Sequence, residues 1–249
     1  MRIVVWNCQM GFDKKADALL SLNPDVAVVP ECSEKSTVAL QQRGYETLWF
    51  GSNPLKGLGV FCRKGWSIRA LQQPQQKWIV PVAVDAPTPF TLIAVWACKA
   101  GAGRANRYIG QVYQALMSHS EWFDGTPVVL AGDLNSNKIW DAKRQVGNHS
   151  DVVKILAERG LVSGYHEFFG EAQGTESRYA FYLHRHAHRP YHIDYIFIPG
   201  EWATRLKTVD VGEYEQWSKL SDHCPVTVEI LSCQIQSGSA GGFKVQHRE

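Results

Sequence analysis

The sequence lacks several features that mark particular classes of protein. It contains no run approaching the ~20 apolar residues of a transmembrane helix, so we expect no membrane association. Its six cysteines form no CxxC pair, which argues against zinc ribbons and thioredoxin-like sites. Several cysteines lie inside apolar, strand-like segments, where cysteine behaves as a small hydrophobe. We therefore expect free thiols in a reducing cytoplasm rather than a disulfide framework.

Neither a strong charge nor an internal linker is present. Lys and Arg number 26 and Asp and Glu 24, a formal net charge of +2, so any basic surface must be local. The apolar stretch within residues 1–7 is too short for a signal peptide, and polar residues follow it. No polar or Pro/Gly-rich stretch divides the middle of the chain. We predict one domain over residues 1–233, a polar tail over residues 234–249, and a monomer with no obligate protein partner.

Apolar periodicity predicts a mixed α/β fold. A strand at Ile3–Trp6, a helix within Asp13–Leu22 and a strand at Val26–Val29 form a strand–helix–strand unit, the pattern of a parallel crossover. The pattern recurs in the strand Phe90–Trp96, the helix from Ile109 to Met117 and the strand Pro127–Ala131. The other predicted elements are the strands Tyr45–Phe50, Gly59–Arg63, Trp78–Val84, Tyr191–Pro199 and Pro225–Leu231 and the helix Ser150–Glu158. Together they predict an α/β sandwich.

Several apolar strands finish in polar side chains, namely Asn7, Glu31, Asp133 and Asn135. In open α/β sheets, ligands bind beyond the carboxyl ends of parallel strands, so we expect these residues to share one site. Asp133 and Asn135 are two apart in a segment predicted to be extended, which directs both side chains to one side. A carboxylate beside an amide can ligate a metal or position a water. The alternatives are an Asx turn at Asp133, a loop position for Glu31 and a simple turn at Asn7.

A second group of polar residues lies towards the C-terminus. Asp194 is the single acid in an apolar strand and needs a partner there. His223, within Ser221-Asp222-His223, is our candidate, because an Asp–His hydrogen bond fixes the tautomer and orientation of the ring. We predict this hydrogen bond within about 3.2 Å. The alternatives are a salt bridge from Asp194 to an arginine and a surface turn at His223.

These motifs, in this order, resemble those of the endonuclease/exonuclease/phosphatase superfamily, which includes exonuclease III, pancreatic deoxyribonuclease, inositol polyphosphate 5-phosphatases and neutral sphingomyelinases. The resemblance runs from Ile3 to about Leu231. Its carriers are Trp6-Asn7, Pro30-Glu31, Gly132-Asp133-Leu134-Asn135, Ile193-Asp194-Tyr195 and Ser221-Asp222-His223. It implies a four-layer α/β/β/α sandwich with two mixed sheets. Together the motifs are specific for the superfamily, but they do not specify a substrate.

The resemblance also implies a divalent metal ion. Glu31 would bind it, with Asn7 and Asp222 close by. Magnesium suits carboxylate, amide and water ligands, and manganese can substitute for it. Nucleic-acid-cleaving members often have an acid two residues after the first-motif asparagine, but this chain has Gln9, which adds no charge to the metal site. The number of metal ions stays open.

Four residues receive catalytic roles by the same resemblance. Asp133 would orient or deprotonate the attacking water, and Asn135 would hold water and phosphate. His223 would contact the phosphoryl oxygens, with Asp194 supporting it. Many members have a His or Tyr at the end of the strand that here finishes with Trp96. Indole is no useful acid, so either another group protonates the leaving oxygen or Trp96 is a core residue.

Two cationic segments lie in loops expected to flank the phosphate site. We predict that the substrate-binding residues are Asn7, Arg104, Arg107, Arg185 and Arg189. DNA is our leading substrate, cleaved by endonuclease, 3′-exonuclease or abasic-site activity. The alternatives are a phosphoinositide, sphingomyelin or another small phosphoester, and a binding protein that has lost activity. The histidines near residues 184–192 could also bind a transition metal, but they lack helical ligand spacing and a nearby carboxylate.

Overall fold

The computed structural model describes residues 1–72, 76–99, 101 and 103–231, with the side chain of Arg104 excepted. The predicted polar tail lies outside these residues, so the tail and the domain boundary at residue 233 stay predictions. Five cysteines lie in the described part of the chain, and all five are free thiols, as predicted. No helix among the described residues is long and apolar enough to cross a membrane.

The described residues form two six-stranded sheets and a short hairpin. The strands are β1 (Arg2–Val5), β2 (Val26–Cys32), β3 (Glu46–Asn53), β4 (Lys56–Cys62), β5 (Ser67–Ala70), β6 (Ile79–Asp85), β7 (Phe90–Trp96), β8 (Val128–Asp133), β9 (Leu161–Ser163), β10 (Phe181–Tyr182), β11 (Pro190–Tyr191), β12 (Asp194–Pro199), β13 (Leu206–Val211) and β14 (Val226–Ile230). The helices are α1 (Ala16–Leu20), α2 (Lys35–Gln41), α3 (Ile109–Ser118), α4 (His149–Glu158), α5 (Gly164–Phe169), α6 (Gly200–Ala203) and α7 (Tyr214–Trp217).

Both large sheets are mixed, as predicted. The first has the order β13-β14-β1-β2-β4-β3, with β1 and β2 parallel. The second has the order β5-β6-β7-β8-β12-β9, with β7 and β8 parallel. The remaining pairs are antiparallel. The two parallel pairs are the two predicted crossover units, so the carboxyl ends of β1, β2, β7 and β8 hold the residues that the sequence singled out.

Side-chain alternation produces the four predicted layers. In β1, Ile3 and Val5 join the core between the two sheets, whereas Val4 joins a cluster under α1 and α2. In β7, Leu92 faces the inter-sheet core and Ile93 faces a cluster formed with α3 and α4. Both faces of each sheet are therefore covered, which explains why the central strands are continuous apolar runs.

The predicted elements differ from the observed ones mainly at their ends. The predicted helix within Asp13–Leu22 is a 3₁₀ turn at Phe12–Lys14 followed by the short α1. The predicted strand Tyr191–Pro199 is divided, because β11 pairs with β10 in a separate hairpin and β12 begins only at Asp194. The elements that were not predicted are short or alternate weakly in polarity, namely the strands β5, β9, β10 and β13 and the helices α2, α5, α6 and α7.

Candidate active site

Two acidic residues meet where β8 ends and β12 begins. Asp133 and Asp194 lie directly opposite each other in the antiparallel pairing of these strands. Alternation places Asp133 on the face of Val129 and Ala131, and Asp194 on the face of Ile196, so both carboxylates point towards the first sheet. Both residues are fully buried. The sequence predicted the position of each at a strand end, but not that the two would be register partners.

A bulge directs Glu31 into the same region. The pairing of β2 with β4 shifts register between Pro30 and Cys32, which inserts Glu31 as an extra residue. The backbone of Glu31 has a φ of 63°, in the left-handed region that a non-glycine residue seldom adopts. Gln9 and Asn135, with φ of 50° and 46°, share this feature. Backbone strain of this kind, of order 1–3 kcal/mol per residue, is typical of functional sites.

Two asparagines surround Asp133. Asn7 Nδ2 donates to Asp133 Oδ2 at 3.0 Å and lies 3.4 Å from Glu31 Oε1, so one amide joins the ends of β1, β2 and β8. Asn135 donates twice to Asp133, from its backbone N–H at 2.8 Å and from its side chain at 2.8 Å. The prediction of an extended Asp133–Asn135 segment was wrong, because Asn135 follows β8 in a left-handed turn. The turn still brings the two side chains together.

Gly132 allows this arrangement. It has a φ of 151°, and a Cβ atom there would lie 1.9 Å from the carbonyl oxygen of Val95 in the adjacent strand β7. Only glycine therefore permits the close approach of β8 to β7 immediately before Asp133.

The predicted Asp194–His223 hydrogen bond is confirmed. His223 Nδ1 lies 2.7 Å from Asp194 Oδ2, and both side chains are buried. The loop before β14 holds the histidine in place, because Trp6 Nε1 donates to the His223 carbonyl oxygen at 2.9 Å and the His223 backbone N–H donates to Ser221 Oγ at 3.0 Å. The other carboxylate oxygen of Asp194, Oδ1, is buried and has no hydrogen-bond partner among the described residues.

The charges in this cluster oppose one another. Burial, and then the nearby Asp194 carboxylate, raise the pKa of Asp133 to about 7. Burial also raises the pKa of Asp194, against the lowering effect of His223. For His223, burial lowers the pKa, but Asp194 and the other acids outweigh it and raise the value to about 9. A protonated His223 between two buried acids leaves the cluster short of positive charge whenever both acids are ionised.

The residues present fit a divalent cation. One ligand atom from each of Asp133, Asp194 and His223 lies within 4.8 Å of the other two, and Asp194 Oδ1 has no hydrogen-bond partner among the described residues. Glu31 and Asp222 are less deeply buried and could meet an ion from solvent. Asp222 adjoins the group through Ser221, whose Oγ donates to the Asn7 carbonyl oxygen at 2.8 Å and lies 3.5 Å from Asp222 Oδ1. Hard carboxylate and amide oxygens of this kind suit magnesium or manganese.

Sequence reasoning missed Lys56, which begins β4. Its Nζ forms a salt bridge with Glu31 Oε2 at 3.0 Å and lies 5.2 Å from the centre of the Trp96 ring. Trp96 is buried and packs against Trp78 with ring centroids 4.7 Å apart. This packing favours the prediction that Trp96 is a core residue. No sequence signal marked Lys56, because its contact with Glu31 depends on the pairing of β2 with β4.

The four predicted substrate-binding arginines lie in different parts of the structure. Arg185 Nε donates to Gln9 Oε1 at 3.1 Å, so the residue that replaces the family acid binds a guanidinium. Arg107 lines a cavity that also includes Asn135. Arg189 is exposed. Arg104 begins a 3₁₀ turn, and its side chain lies outside the described part of the structure.

The histidine-rich segment does not form one basic cluster. His192 is buried, and its Nδ1 lies 3.0 Å from the Arg178 carbonyl oxygen. His184, His186 and His188 are exposed. In the described residues these three belong to no group whose ligand atoms converge as those of a metal site do. The structure therefore gives no support to a transition-metal site in this segment.

Comparison with known proteins agrees with what the geometry of the site indicates. The sequence matches the model of the Endonuclease/Exonuclease/phosphatase family over residues 4–223. No curated protein sequence matches the chain. Among solved structures, the fold is similar to that of a 3′-5′ exonuclease from Neisseria meningitidis, with 22% identity, a TM-score of 0.68, and coverage of 92% of this chain and 99% of that one.

Two further solved structures share the fold. A 3′ phosphatase from Neisseria, bound to a product DNA hairpin, is 21% identical, with a TM-score of 0.69 and coverage of 93% of this chain and 100% of that one. An AP endonuclease from Archaeoglobus fulgidus is 17% identical, with a TM-score of 0.68 and coverage of 92% of this chain and 99% of that one. At these identities the likeness concerns the fold.

Proposed function

The chain belongs to the endonuclease/exonuclease/phosphatase family, and on this basis we propose that it is a divalent-metal-dependent phosphodiesterase that hydrolyses DNA. The observation that carries the proposal is the convergence of Asn7, Glu31, Asp133, Asp194 and His223 at one edge of the two sheets. These residues come from five separate segments, and where they meet, one buried carboxylate oxygen, Asp194 Oδ1, has no partner in the part of the chain that the structure describes. Buried carboxylates in such number are costly to a fold unless they serve chemistry or bind a cation.

Each residue of the cluster has a role in the proposed reaction. Asp133, oriented by Asn7 and Asn135, positions the attacking water and accepts its proton. His223, whose ring is fixed by Asp194, offers Nε2 as a hydrogen-bond donor to a phosphoryl oxygen. Glu31 and Asp222, with Asn7, would hold the divalent ion. When bound, this ion supplies polarisation of a phosphoryl oxygen and stabilises the leaving oxygen.

Magnesium is the ion we propose, with manganese as a substitute. The proposed ligands Glu31, Asp222 and Asn7 offer carboxylate and amide oxygens, and no described cysteine is among them. We also keep the cytoplasmic location as a proposal, which the free thiols of the five described cysteines support.

Two observations favour DNA as the substrate. The solved structures with this fold include a 3′-5′ exonuclease, an AP endonuclease and a 3′ phosphatase bound to a DNA hairpin. Two arginines also lie near residues of the candidate site, because Arg185 binds Gln9 and Arg107 lines the same cavity as Asn135. Guanidinium groups in these positions suit the phosphates of a backbone that continues past the cleaved bond.

A substrate panel tests this proposal. We expect purified protein with Mg²⁺ to cleave single-stranded, duplex or abasic DNA and to hydrolyse a chromogenic phosphodiester. If DNA is untouched with both Mg²⁺ and Mn²⁺ while inositol phosphates or sphingomyelin are hydrolysed, the nuclease proposal is wrong and the small-phosphoester alternative replaces it.

Removal of two arginines tests the DNA contacts. We expect Arg185→Ala with Arg189→Ala to raise KM for DNA and to reduce the steepness of its salt dependence, because fewer phosphates are neutralised. The chromogenic diester should be hydrolysed at the wild-type rate. The control is Arg43→Ala with Arg69→Ala, which removes the same charge from exposed positions on α2's C-terminal turn and on β5. An equal effect of the two double variants would contradict specific phosphate contacts.

A further inference from the structure

A cavity of about 640 Å³ adjoins the acidic cluster. Asn135 and Ser136 form the wall nearest Asp133, and Arg107 and Tyr108, which precede α3, also line it. Trp140 and His149 also line the cavity. The volume is within the range of ~300–1,000 Å³ that is typical of small-molecule sites. Since Asn135 both lines the cavity and binds Asp133, the cavity begins beside the place where the scissile phosphate would lie.

Two aromatic side chains on the lining are unusually exposed. Tyr108 and Trp140 have 44% and 49% of their surface accessible, although large aromatic rings are usually buried. Trp140 packs against Tyr191 with ring centroids 5.0 Å apart, which orients its ring. Exposed rings beside a phosphate site are suited to stacking against a planar ligand.

Two polar side chains of the lining are engaged by the protein itself. His149 is buried, with its Nε2 3.0 Å from Gln173 Oε1 and its Nδ1 enclosed by the protein. The Asp141 carboxylate accepts from the backbone N–H groups of His149 and Ser150 at 2.9 and 3.1 Å. A ligand would therefore meet a guanidinium from Arg107 and two aromatic faces.

We propose that this cavity binds the base of the nucleotide adjoining the scissile phosphate, with Trp140 and Tyr108 stacking on the base. The inference rests on the proposed function, because a base is brought here by the phosphate that the acidic cluster binds. A base enters such a cavity only when it is unpaired. The enzyme then prefers single strands or frayed ends to the interior of a duplex.

The test compares substrates that differ in one base. Single-stranded oligonucleotides carry either a normal nucleotide or an abasic analogue next to the cleaved bond, in DNA and in RNA form. Trp140→Ala should raise KM roughly ten-fold for the substrate with the base, within the range measured for one base–aromatic stack. It should leave KM for the abasic substrate and the rate on a chromogenic phosphodiester unchanged. Trp140→Phe should restore most of the loss, and Phe168→Ala, an exposed aromatic of α5 outside the cavity, is the matched control.

A binding experiment separates this inference from the proposed function. Saturation-transfer NMR with deoxyadenosine and deoxycytidine, which carry no phosphate, should show binding to the wild type and to Phe168→Ala but not to Trp140→Ala. If the wild type cleaves no nucleic acid, the proposed function fails, and the nucleoside measurement still decides the cavity. Equal KM values for Trp140→Ala and the wild type on the base-containing oligonucleotide, or no nucleoside binding by the wild type, would overturn the inference. The DNA and RNA arms show which nucleic acid supplies the base.

Discussion

Two buried carboxylates in this protein have opposite electrostatic surroundings. Asp133 accepts three hydrogen bonds from Asn7 and Asn135, and yet burial and Asp194 raise its pKa to about 7. Glu176 also accepts three hydrogen bonds, from the Gly174 backbone N–H, His166 and Asn137, at 2.9–3.1 Å. Burial raises its pKa, but His166 and the other donors outweigh this and lower the value to about 2.

The difference arises from the neighbours and not from the number of donors. Asp133 faces a second buried acid, whereas Glu176 lies in a network with His166, Asn137 and Tyr195. The two environments adjoin, because Asp194 and Tyr195 are consecutive in β12 and point to opposite faces of the second sheet. One face of this strand brings two buried carboxylates together at the candidate site. The other neutralises its single carboxylate and thereby stabilises the fold.

The largest effect should come from neutralising the acid of the candidate site. Asp133→Asn keeps the shape of the side chain but removes the acceptor of the water proton, so kcat on a chromogenic phosphodiester should fall by about 10²- to 10⁴-fold. Thermal unfolding should show an unchanged or raised Tm, because a like-charge contact with Asp194 is removed. Retention of more than a tenth of the activity would contradict the role given to Asp133.

Truncation of Glu176, the other carboxylate, should lower stability and leave activity largely unchanged. Glu176→Ala leaves His166 and the Gly174 N–H without their buried acceptor, and we expect it to lower the free energy of unfolding in urea by about 2–4 kcal/mol. Activity of the folded fraction should stay within a few-fold of wild type. The control Glu158→Ala removes an exposed acid 3.8 Å from Lys154 and should cost less than about 0.5 kcal/mol. If Glu176→Ala lost activity without losing stability, the contrast drawn between Asp133 and Glu176 would be contradicted.

The pH dependence of stability should reveal the titration of His192, which lies near Glu176. Burial lowers the pKa of His192 to about 4, whereas an unfolded histidine has a value of about 6.5. Between these two values the unfolded chain binds a proton that the folded chain does not, so stability falls as the pH decreases from 6.5 towards 4. The contribution at pH 4.5 is on the order of 2–3 kcal/mol.

A variant without this titration isolates the effect. Urea unfolding at pH 7.5 and pH 4.5 should differ less for His192→Gln than for the wild type, by about 2 kcal/mol. All other titrating groups are shared by the two proteins. An identical pH dependence would show that His192 is protonated in the folded protein as readily as in the unfolded one.

The smallest effect should come from Lys56, at the more exposed edge of the candidate site. Its salt bridge with Glu31 is partly open to solvent, so Lys56→Gln should change stability by less than about 1 kcal/mol. Because the ammonium group competes for Glu31 Oε2, the variant should need less Mg²⁺ for half-maximal activity, by at most about five-fold. A higher Mg²⁺ requirement would instead assign Lys56 a supporting role in metal binding.

The sequence identified the strand-end residues of the site because two local rules apply to them. Buried strands appear as apolar runs, and Phe90–Trp96 was predicted with its observed ends. Polar residues that follow such runs are directed to the edge of the sheet, which brought Asn7, Glu31 and Asp133 together as predicted. The Asp194–His223 hydrogen bond followed from the need of a buried acid for a partner.

The remaining features depend on the pairing of distant segments. The bulge at Glu31 and its salt bridge with Lys56 depend on the register between β2 and β4, which no local pattern fixes. The contact between Asp133 and Asp194 likewise depends on the register between β8 and β12. His192 appeared in the sequence as part of a basic segment, but its position just before β12 buries it in the polar network beside Glu176. The functions assigned to the site residues stay proposals.

The dependence of rate on magnesium in Glu31→Gln tests the central claim most directly. Hydrolysis of a chromogenic phosphodiester would be measured against Mg²⁺ concentration after removal of metals by a chelator, for the wild type and for the variant. We predict no hydrolysis by the wild type in excess chelator, full recovery with Mg²⁺, and a markedly higher half-saturating Mg²⁺ concentration for Glu31→Gln. Full activity in excess chelator, or identical Mg²⁺ curves for the two proteins, would contradict a metal-dependent site at Glu31.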